Sequence, residues 1–258
     1  MSTKNKIGKF RENETFKCLF QPATIELLSK EYKLKGRWGE EIFGNNNPIV
    51  LELGCGKGEY TVALAMQYPD KNFIGIDIKG ARLWKGAKFV TEKSIGNALF
   101  IRTRIEFIES LFGRDEISEI WITFADPQIK RARKRLTGSL FLNRYRNFLK
   151  PDGIIHLKTD SLFLYKYTEE SALQNNLSIA GSMEDIYGEE LSNNTFPKEL
   201  KSIKTFYENY YIKNGFKIKY LSFGLKENNN IIEPEWDEKY WEKEEEKGRE
   251  KLQTNKGV

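Results

Sequence analysis

The sequence has 258 residues, a length that corresponds to one or two domains. Hydrophobic residues make up 39% and aromatic residues 13% of it, which is enough for a sizeable core and excludes wholesale disorder. Lysine and arginine number 42 against 37 aspartates and glutamates, so the net charge of +5 is modest and its position along the chain matters more than its sum.

Short apolar runs alternate with helical patterns along most of the chain. Strands are predicted at 49–53, 72–78, 98–103, 117–124 and 154–158, and helices at 60–68, 80–90 and 161–174. A late strand at 216–223 is predicted to form a hairpin with one at 177–183. The repeated strand–helix order predicts an α/β fold, with a mostly parallel sheet and helices on both faces.

Two flanking segments differ from this core. Residues 1–45 form a basic N-terminal extension with one helical stretch at 24–32, and residues 226–258 form a charged C-terminal tail. From Asp237 onward the tail has seven acids and six bases, which is typical of a solvated helix or a frayed end. We therefore expect the main domain at 46–225.

Cysteine and histidine are too scarce for several kinds of chemistry. Cys18 and Cys55 form no CxxC motif, and the single histidine, His156, lies in an apolar run that predicts a packed strand residue. A Cys/His zinc site, a disulfide scaffold and a Ser-His-Asp triad are therefore disfavoured. No segment has the pattern of a signal peptide or a membrane span. We expect a soluble cytoplasmic protein with no metal and no membrane partner.

The segment after the strand at 49–53 carries the strongest motif. Leu51-Glu52-Leu53-Gly54-Cys55-Gly56-Lys57-Gly58-Glu59-Tyr60 places G-x-G-x-G between a strand and a helix. Glycines there permit a tight turn and let a ligand lie against the backbone at the helix N-terminus, as Gly54 and Gly56 would. Glu52, two residues before the first glycine, would repel a pyrophosphate but suits a cationic ligand such as S-adenosylmethionine.

A second acid ends the next predicted strand. Asp77 follows Gly54 by 23 residues, where its carboxylate can accept hydrogen bonds from both hydroxyls of a ribose. A helix-capping role for Asp77 and a strand-end charge at Glu52 are the alternatives. Together the two acids and the glycine loop favour a site for S-adenosylmethionine.

A basic segment follows the strand at 117–124. Seven bases and no acid lie between Lys130 and Arg146, a local charge larger than that of the whole chain. Active sites of α/β proteins lie at the carboxyl ends of strands, so the segment favours a nucleic acid partner over a solvated loop. Asp126, held by Pro127, is the candidate catalytic carboxylate, and a turn-forming Asp-Pro is its alternative.

With these residues assembled, residues 48–224 resemble the bacterial-type tRNA (guanine-N7)-methyltransferases. The resemblance rests on the LELGCGKGEY loop, the FIGIDIK segment, Asp126-Pro127 with its basic run, Lys158-Thr159-Asp160, and Thr205-Phe206-Tyr207-Glu208. It implies a Rossmann-like class I methyltransferase fold, S-adenosylmethionine as cofactor, and methyl transfer to N7 of a guanine in the variable loop of tRNA.

The resemblance also implies roles for individual residues. The donor would be held by Glu52, Gly54, Gly56 and Asp77, and Asp126 would be the catalytic acid. The tRNA would be held by Lys130, Asp160, Thr205, Phe206, Tyr207 and Glu208.

The sequence departs from the family pattern in two places. Ala125 and Gln128-Ile129 replace a proline and a Trp-Pro pair. The family's Asp or Asn that contacts the adenine end of the donor falls on Arg104, where the backbone or the nearby Glu106 would substitute.

Other functions remain as alternatives. They are a methyltransferase of the same fold that acts on a small molecule or another RNA position, a non-catalytic RNA-binding relative, and a nicotinamide oxidoreductase. The basic segment weighs against a small molecule, and the Thr205–Glu208 motif against another RNA position. G-x-G-x-G with Glu52 upstream weighs against nicotinamide.

Overall fold

The computed structural model describes residues 3–29, 31–188, 196–225 and 230–254. The chain divides into two units, Met1–Trp121 with Asn147–Gly153, and Ile122–Arg146 with Ile154–Val258.

The first unit contains the glycine loop. Its elements are α1 (Thr3–Asn13), β1 (Leu19–Phe20), α2 (Thr24–Leu28), β2 (Ile49–Leu53), α3 (Glu59–Gln67), β3 (Asn72–Asp77), α4 (Gly80–Glu92), β4 (Ala98–Arg102), α5 (Ile108–Leu111) and β5 (Ile117–Thr123), whose last two residues belong to the second unit. The strand order is β1-β4-β3-β2-β5. The pairs β4–β3 and β3–β2 are parallel, as the sequence predicts, and the unpredicted β1 also pairs in parallel with β4.

Burial explains why these strands form. Every residue of β2 and β3 is buried, as expected for parallel strands covered on both faces, which appear in sequence as nearly continuous apolar runs. Parallel pairing sets Leu53 opposite Ile76 and Asp77 opposite Arg102. The carboxyl ends of β2, β3 and β4 therefore lie at one edge, beside the glycine loop.

The N-terminal segment packs within the first unit. β1 pairs with β4, with Leu19 opposite Phe100. The indole of Trp38 is fully buried and donates a hydrogen bond to the carbonyl of Leu111 at 2.8 Å. Glu116 accepts hydrogen bonds from the amides of Gly36, Trp38 and Gly113. Residues 1–45, predicted as an extension, thus supply core residues and an edge strand, and the helix predicted at 24–32 ends earlier, at Leu28.

The second unit contains the antiparallel strands. Its elements are α6 (Ser139–Tyr145), β6 (Leu149–Thr159, which begins in the first unit), α7 (Leu162–Gln174), β7 (Ser178–Met183), α8 (Glu199–Ser202), α9 (Phe206–Lys213), β8 (Lys219–Gly224) and α10 (Glu238–Thr254). The strand order is β6-β8-β7, and both pairings are antiparallel. The predicted late hairpin is therefore confirmed as β7–β8, and the α/β fold class is confirmed by both units.

His156 is a packed strand residue, as the sequence predicts. It is 7% exposed, and its Nδ1 lies 2.8 Å from the hydroxyl of Tyr220. Across the described ranges, no helix has the length and apolar character needed to cross a membrane. Within the same ranges, no group of three or more His, Cys, Asp and Glu residues is arranged to hold a metal ion. Both Cys18 and Cys55 are free thiols.

Candidate active site

The glycine loop turns between β2 and α3 in a left-handed backbone conformation. Gly54, Gly56 and Gly58 have φ values of 74°, 58° and 71°, which side chains with a Cβ rarely adopt. The amides of Gly54 and Cys55 donate to the carbonyl of Ile76 at 2.8 and 3.1 Å and fix the loop to the end of β3. A Cβ added at Gly54 or Gly56 would meet no atom within 4 Å. The loop therefore has open space for a ligand along its backbone.

Two buried carboxylates flank this loop. Glu52 is 4% exposed, and its Oε2 accepts hydrogen bonds from the Thr61 amide at 2.8 Å and from the Thr61 hydroxyl. Asp77 is 8% exposed, and it accepts from the Gly56 amide at 3.0 Å and the Lys79 amide at 2.7 Å. The structure thus brings Glu52, Gly54, Gly56 and Asp77 together, with each acid fixed in place by the backbone.

Cys55, inside the loop, is not suited to act as a nucleophile. Burial, together with the nearby carboxylates of Glu52 and Asp77, raises the pKa of its thiol well above the ordinary value. A thiol that keeps its proton is a poor nucleophile, so Cys55 has a packing role in the turn.

The glycine loop is open along its backbone and is flanked by the carboxylates of Glu52 and Asp77. These features fit a cationic ligand that also carries a ribose.

Arg104 lies just beyond β4. It is exposed, as is Glu106, and it precedes a short 3₁₀ turn at Ile105–Phe107. The amide of Thr103 donates to the carbonyl of Asp77 at 3.2 Å, which ties this segment to the end of β3. Arg104 therefore lies next in the chain to a residue that contacts the second acid.

In the second unit, β5 ends in a strained turn that presents Asp126. Phe124 has a φ of 50°, an outlier for a bulky residue, and such strain is concentrated at functional sites. Its amide donates to the carbonyl of Lys158 at 2.9 Å, and its ring stacks on Tyr211 at a centroid distance of 6.2 Å. Asp126 is exposed, and its Oδ1 accepts from the Gln128 amide at 3.1 Å. The carboxylate is thus fixed in a turn yet accessible.

One member of the basic segment is a structural residue. The sequence predicts that the whole basic run contacts a polyanion, but Arg135 is 2% exposed. Its guanidinium donates to the carbonyls of Pro127, Gln128 and Ile129 at 2.9 to 3.2 Å and stacks over Tyr167 at 3.9 Å. The prediction is wrong for this residue. Its buried guanidinium donates to carbonyls of the Asp126 loop, stabilises the fold of that loop and has no exposed face for a phosphate.

The remaining bases near Asp126 are accessible. Lys130, Arg131, Arg133 and Lys134 are all exposed. Arg144 and Arg146 are half-buried, and the guanidinium of Arg144 lies over the ring of Phe141. The exposed positive charge is therefore concentrated in the first part of the segment, immediately after Asp126.

An acidic face of α10 lies against these bases. A cavity of about 270 Å³ is lined by residues 126–131 and by Glu242, Glu245 and Glu246. Lys130 forms an ion pair with Glu242, and this hydrogen bond raises the pKa of Lys130. Trp241 stacks on Trp236 at 5.1 Å and anchors the helix. The C-terminal segment thus contains the expected helix, which contacts the Asp126 loop. Residues 226–229 and 255–258 of the predicted tail lie outside the described residues.

The two remaining predicted tRNA-binding motifs are joined by a buried ion pair. Lys158 and Glu208 are both completely buried, with 2.8 Å between Nζ and Oε1. Thr205 caps α9, because its hydroxyl accepts from the Glu208 amide while Glu208 accepts from the Thr205 amide. Phe206 is 59% and Tyr207 43% exposed. Phe206 and Tyr207 are therefore the accessible members of this motif.

Asp160 lies directly after β6 and is half-buried. Its carbonyl accepts a hydrogen bond from Lys219 Nζ at 2.9 Å. Sequence reasoning missed Lys158 and Arg135 as organising residues, because a buried base has no signature that separates it from an exposed one. The T-x-x-E pattern of Thr205 and Glu208, in contrast, is a recognisable capping box.

Known proteins resemble this chain over most of its length. A family profile described as a putative methyltransferase matches residues 46–221. A tRNA (guanine-N(7)-)-methyltransferase of Christiangramia forsetii is 54% identical over 228 residues, which cover 88% of this chain and 100% of that protein. The chain belongs to the tRNA (guanine-N7)-methyltransferase family. A family member from Bacteroides thetaiotaomicron is 47% identical over 232 residues, 90% of each chain.

Solved structures support the fold independently. The 16S rRNA methyltransferase KamB superposes with a TM-score of 0.54 at 16% identity and covers 72% of this chain and 92% of its own. An antibiotic-related methyltransferase gives a TM-score of 0.52 at 18% identity, with coverage of 72% and 91%. The predicted Rossmann-like methyltransferase fold of this family member is confirmed.

Proposed function

We propose that this protein transfers a methyl group from S-adenosylmethionine to N7 of a guanine in the variable loop of tRNA. The observation that carries the proposal is an exposed carboxylate, Asp126, followed by four exposed bases at positions 130–134 in a member of this family. A substrate of this kind assigns the protein to the cytoplasm.

The residues of the glycine loop fit the methyl donor. S-adenosylmethionine supplies a methyl group activated on a positively charged sulfur. The open backbone at Gly54 and Gly56 receives the ligand, Asp77 accepts hydrogen bonds from its ribose, and Glu52 favours its positive charge. The segment after β4 contacts the adenine end, through the backbone of Arg104 or through Glu106.

The acceptor needs positioning and charge stabilisation rather than a base. Guanine N7 carries an in-plane lone pair and no proton, so it can attack the sulfonium methyl directly. The base becomes cationic as the methyl is transferred, and the carboxylate of Asp126 stabilises that charge as it forms. Asp160 accepts hydrogen bonds from the Watson-Crick edge. The proposed mechanism relies on the carboxylates of Asp126 and Asp160 and needs no general base. This agrees with the burial of the single histidine, His156, in a strand.

The tRNA is held by charge and by exposed rings. Lys130, Arg131, Arg133 and Lys134 contact phosphates, which releases condensed counterions. N7 is inaccessible in the deep major groove of helical RNA, so the target guanine lies in a loop or is splayed out. Phe206 and Tyr207 offer exposed rings on which an unstacked base can lie.

Product analysis tests the proposal. The purified protein is incubated with S-adenosylmethionine and bulk tRNA that lacks the modification, and the digested nucleosides are analysed by mass spectrometry. We expect 7-methylguanosine and no other new methylated nucleoside. A methyl group on another nucleoside would favour a different RNA position, and donor binding without any transfer would favour the non-catalytic relative.

A further inference from the structure

Lys158 contacts three segments of the second unit at once. Its Nζ pairs with Glu208 at 2.8 Å and donates to the carbonyls of Leu200 at 2.8 Å and Ile203 at 3.0 Å. Its backbone carbonyl accepts the amide of Phe124 at 2.9 Å. Its side chain therefore fixes the start of α9 and the segment before it, while its backbone fixes the turn that leads to Asp126.

Glu208 is fully engaged inside the protein. Its Oε1 receives Lys158 and the hydroxyl of Tyr187 at 2.7 Å, and its Oε2 receives the Thr205 amide at 3.4 Å. The side chain is completely buried. A carboxylate with three donors and no exposure has no surface on which to meet a base.

The electrostatics agree with a tightly held pair. Burial lowers the pKa of Lys158, and the Glu208 carboxylate opposes this by favouring the charged ammonium. Burial and the hydrogen bond to Glu208 raise the pKa of Tyr187, so its hydroxyl remains a donor. Buried charge pairs need such complete sets of partners, and the loss of one partner leaves the other uncompensated.

We propose that Lys158 is a positioning residue that sets the Asp126 turn and the Thr205–Glu208 turn in register for the target guanine, and that Glu208 acts through Lys158 rather than by touching the base. The inference rests on the proposed function and revises the tRNA contact that the family resemblance implies for Glu208. Asp160, two residues after Lys158, is placed by the same strand end.

The physical reason is the precision that methyl transfer demands. In-line attack requires reacting atoms about 3–3.5 Å apart, and a misplacement of about 1 Å costs about 100-fold in rate. Asp126 lies on a loop, and the Thr205–Glu208 turn opens α9 after another connecting segment; such segments move more than the strands they follow. The buried ammonium of Lys158 donates to three oxygens and so holds the start of α9 to the end of β6. The backbone carbonyl of the same residue holds the turn before Asp126 to this strand end.

A double-mutant cycle tests the proposal. The variants are Lys158→Met, Glu208→Gln and the double variant, whose neutral pair leaves no buried charge uncompensated. Single-turnover methyl transfer is measured at saturating tRNA, with tRNA and donor dissociation constants and thermal melting for each protein. The matched control is Lys166→Met/Glu184→Gln, which removes a more exposed ion pair in the same unit.

We expect each single variant to transfer methyl about 100-fold more slowly, with both dissociation constants within about threefold of wild type. The double variant should be no slower than the worse single one, because both changes remove the same link. The control should match wild type. If Lys158→Met does not fold, the rates of Glu208→Gln and the double variant still show whether Glu208 acts through Lys158.

Two outcomes would overturn the inference. A folded Lys158→Met or double variant with a wild-type rate would make the ion pair merely structural. A double variant about 10⁴-fold slower than wild type would give Glu208 its own contact with the base. The wild-type reaction is run alongside, and a failure to form 7-methylguanosine there would contradict the proposed function instead.

Discussion

At the scale of single residues, Asp77 illustrates how a proposed ligand contact and the local structure can share the same atoms. Asp77 already accepts two backbone amides, one of them from Gly56 in the glycine loop. The carboxylate that would bind a ribose therefore also shapes the loop on which the donor lies. Both roles follow from the position of an acid at the carboxyl end of a buried parallel strand.

Replacement of Asp77 should weaken donor binding. Asp77→Ala removes a charged hydrogen-bond acceptor, so we expect a loss of about 1.5–3 kcal/mol in the binding free energy of S-adenosylmethionine, measured by calorimetry. Asp70→Ala, at an exposed acid in the turn before β3, is the control and should bind normally. Unchanged donor affinity in folded Asp77→Ala would remove this residue from the donor site.

Arg133 and Arg135 lie two positions apart, but their replacement should have different effects. Arg133→Ala removes an exposed base, so tRNA affinity should fall and the slope of log affinity against log salt should flatten by about 0.9 for one lost phosphate contact, a value measured for duplexes. Arg135→Ala removes a buried anchor, so the melting temperature should fall.

Fluorescence titration across a salt series and thermal melting separate these two effects. Arg135→Ala with a normal melting temperature and a flattened salt slope would make Arg135 a phosphate contact after all. A tRNA affinity of Arg133→Ala equal to wild type at every salt concentration would exclude Arg133 from the interface.

At the scale of elements, α10 would compete with the proposed tRNA substrate for Lys130. Glu242 occupies the ammonium that a phosphate would contact, so tRNA must displace it. Glu242→Gln should therefore bind tRNA a few-fold more tightly, because no ion pair has to be broken before a phosphate contacts Lys130. Glu238→Gln is the matched control, since it makes the same change of charge on the same helix outside the cavity lining. An equal gain in tRNA affinity in both variants would mean that the change of net charge, and not the loss of the Lys130 ion pair, causes the effect.

The elements also show what the sequence could predict. β2, β3 and β4 were predicted almost to the residue, because parallel strands buried on both faces leave continuous apolar runs. α1 and β1 were not predicted. α1 is a polar segment, and β1 has only two residues, whose pairing with β4 depends on contacts distant in sequence.

At the scale of the whole molecule, the residues proposed to bind the donor and those proposed to act on the acceptor belong to different parts of the chain. The glycine loop and its two acids belong to the first unit, and Asp126, the exposed bases and the Thr205–Glu208 turn belong to the second. Motifs for both were predictable from sequence, since their residue types and spacing carry the chemistry. The buried pair of Lys158 and Glu208 was not, because burial and partners arise only on folding.

We propose that Asp126 stabilises the charge that develops on the base as this family member methylates guanine N7. Asp126→Asn tests it, because the amide keeps the shape of the side chain but lacks the charge. Interactions that strengthen only in the transition state lower the rate when removed and leave ground-state affinity nearly unchanged.

The measurement is single-turnover formation of 7-methylguanosine in unmodified tRNA by wild type and Asp126→Asn. We expect the rate to fall by about 10²–10³, with tRNA and donor dissociation constants within about threefold of wild type. A normal rate in Asp126→Asn, or a defect confined to tRNA affinity, would contradict the account.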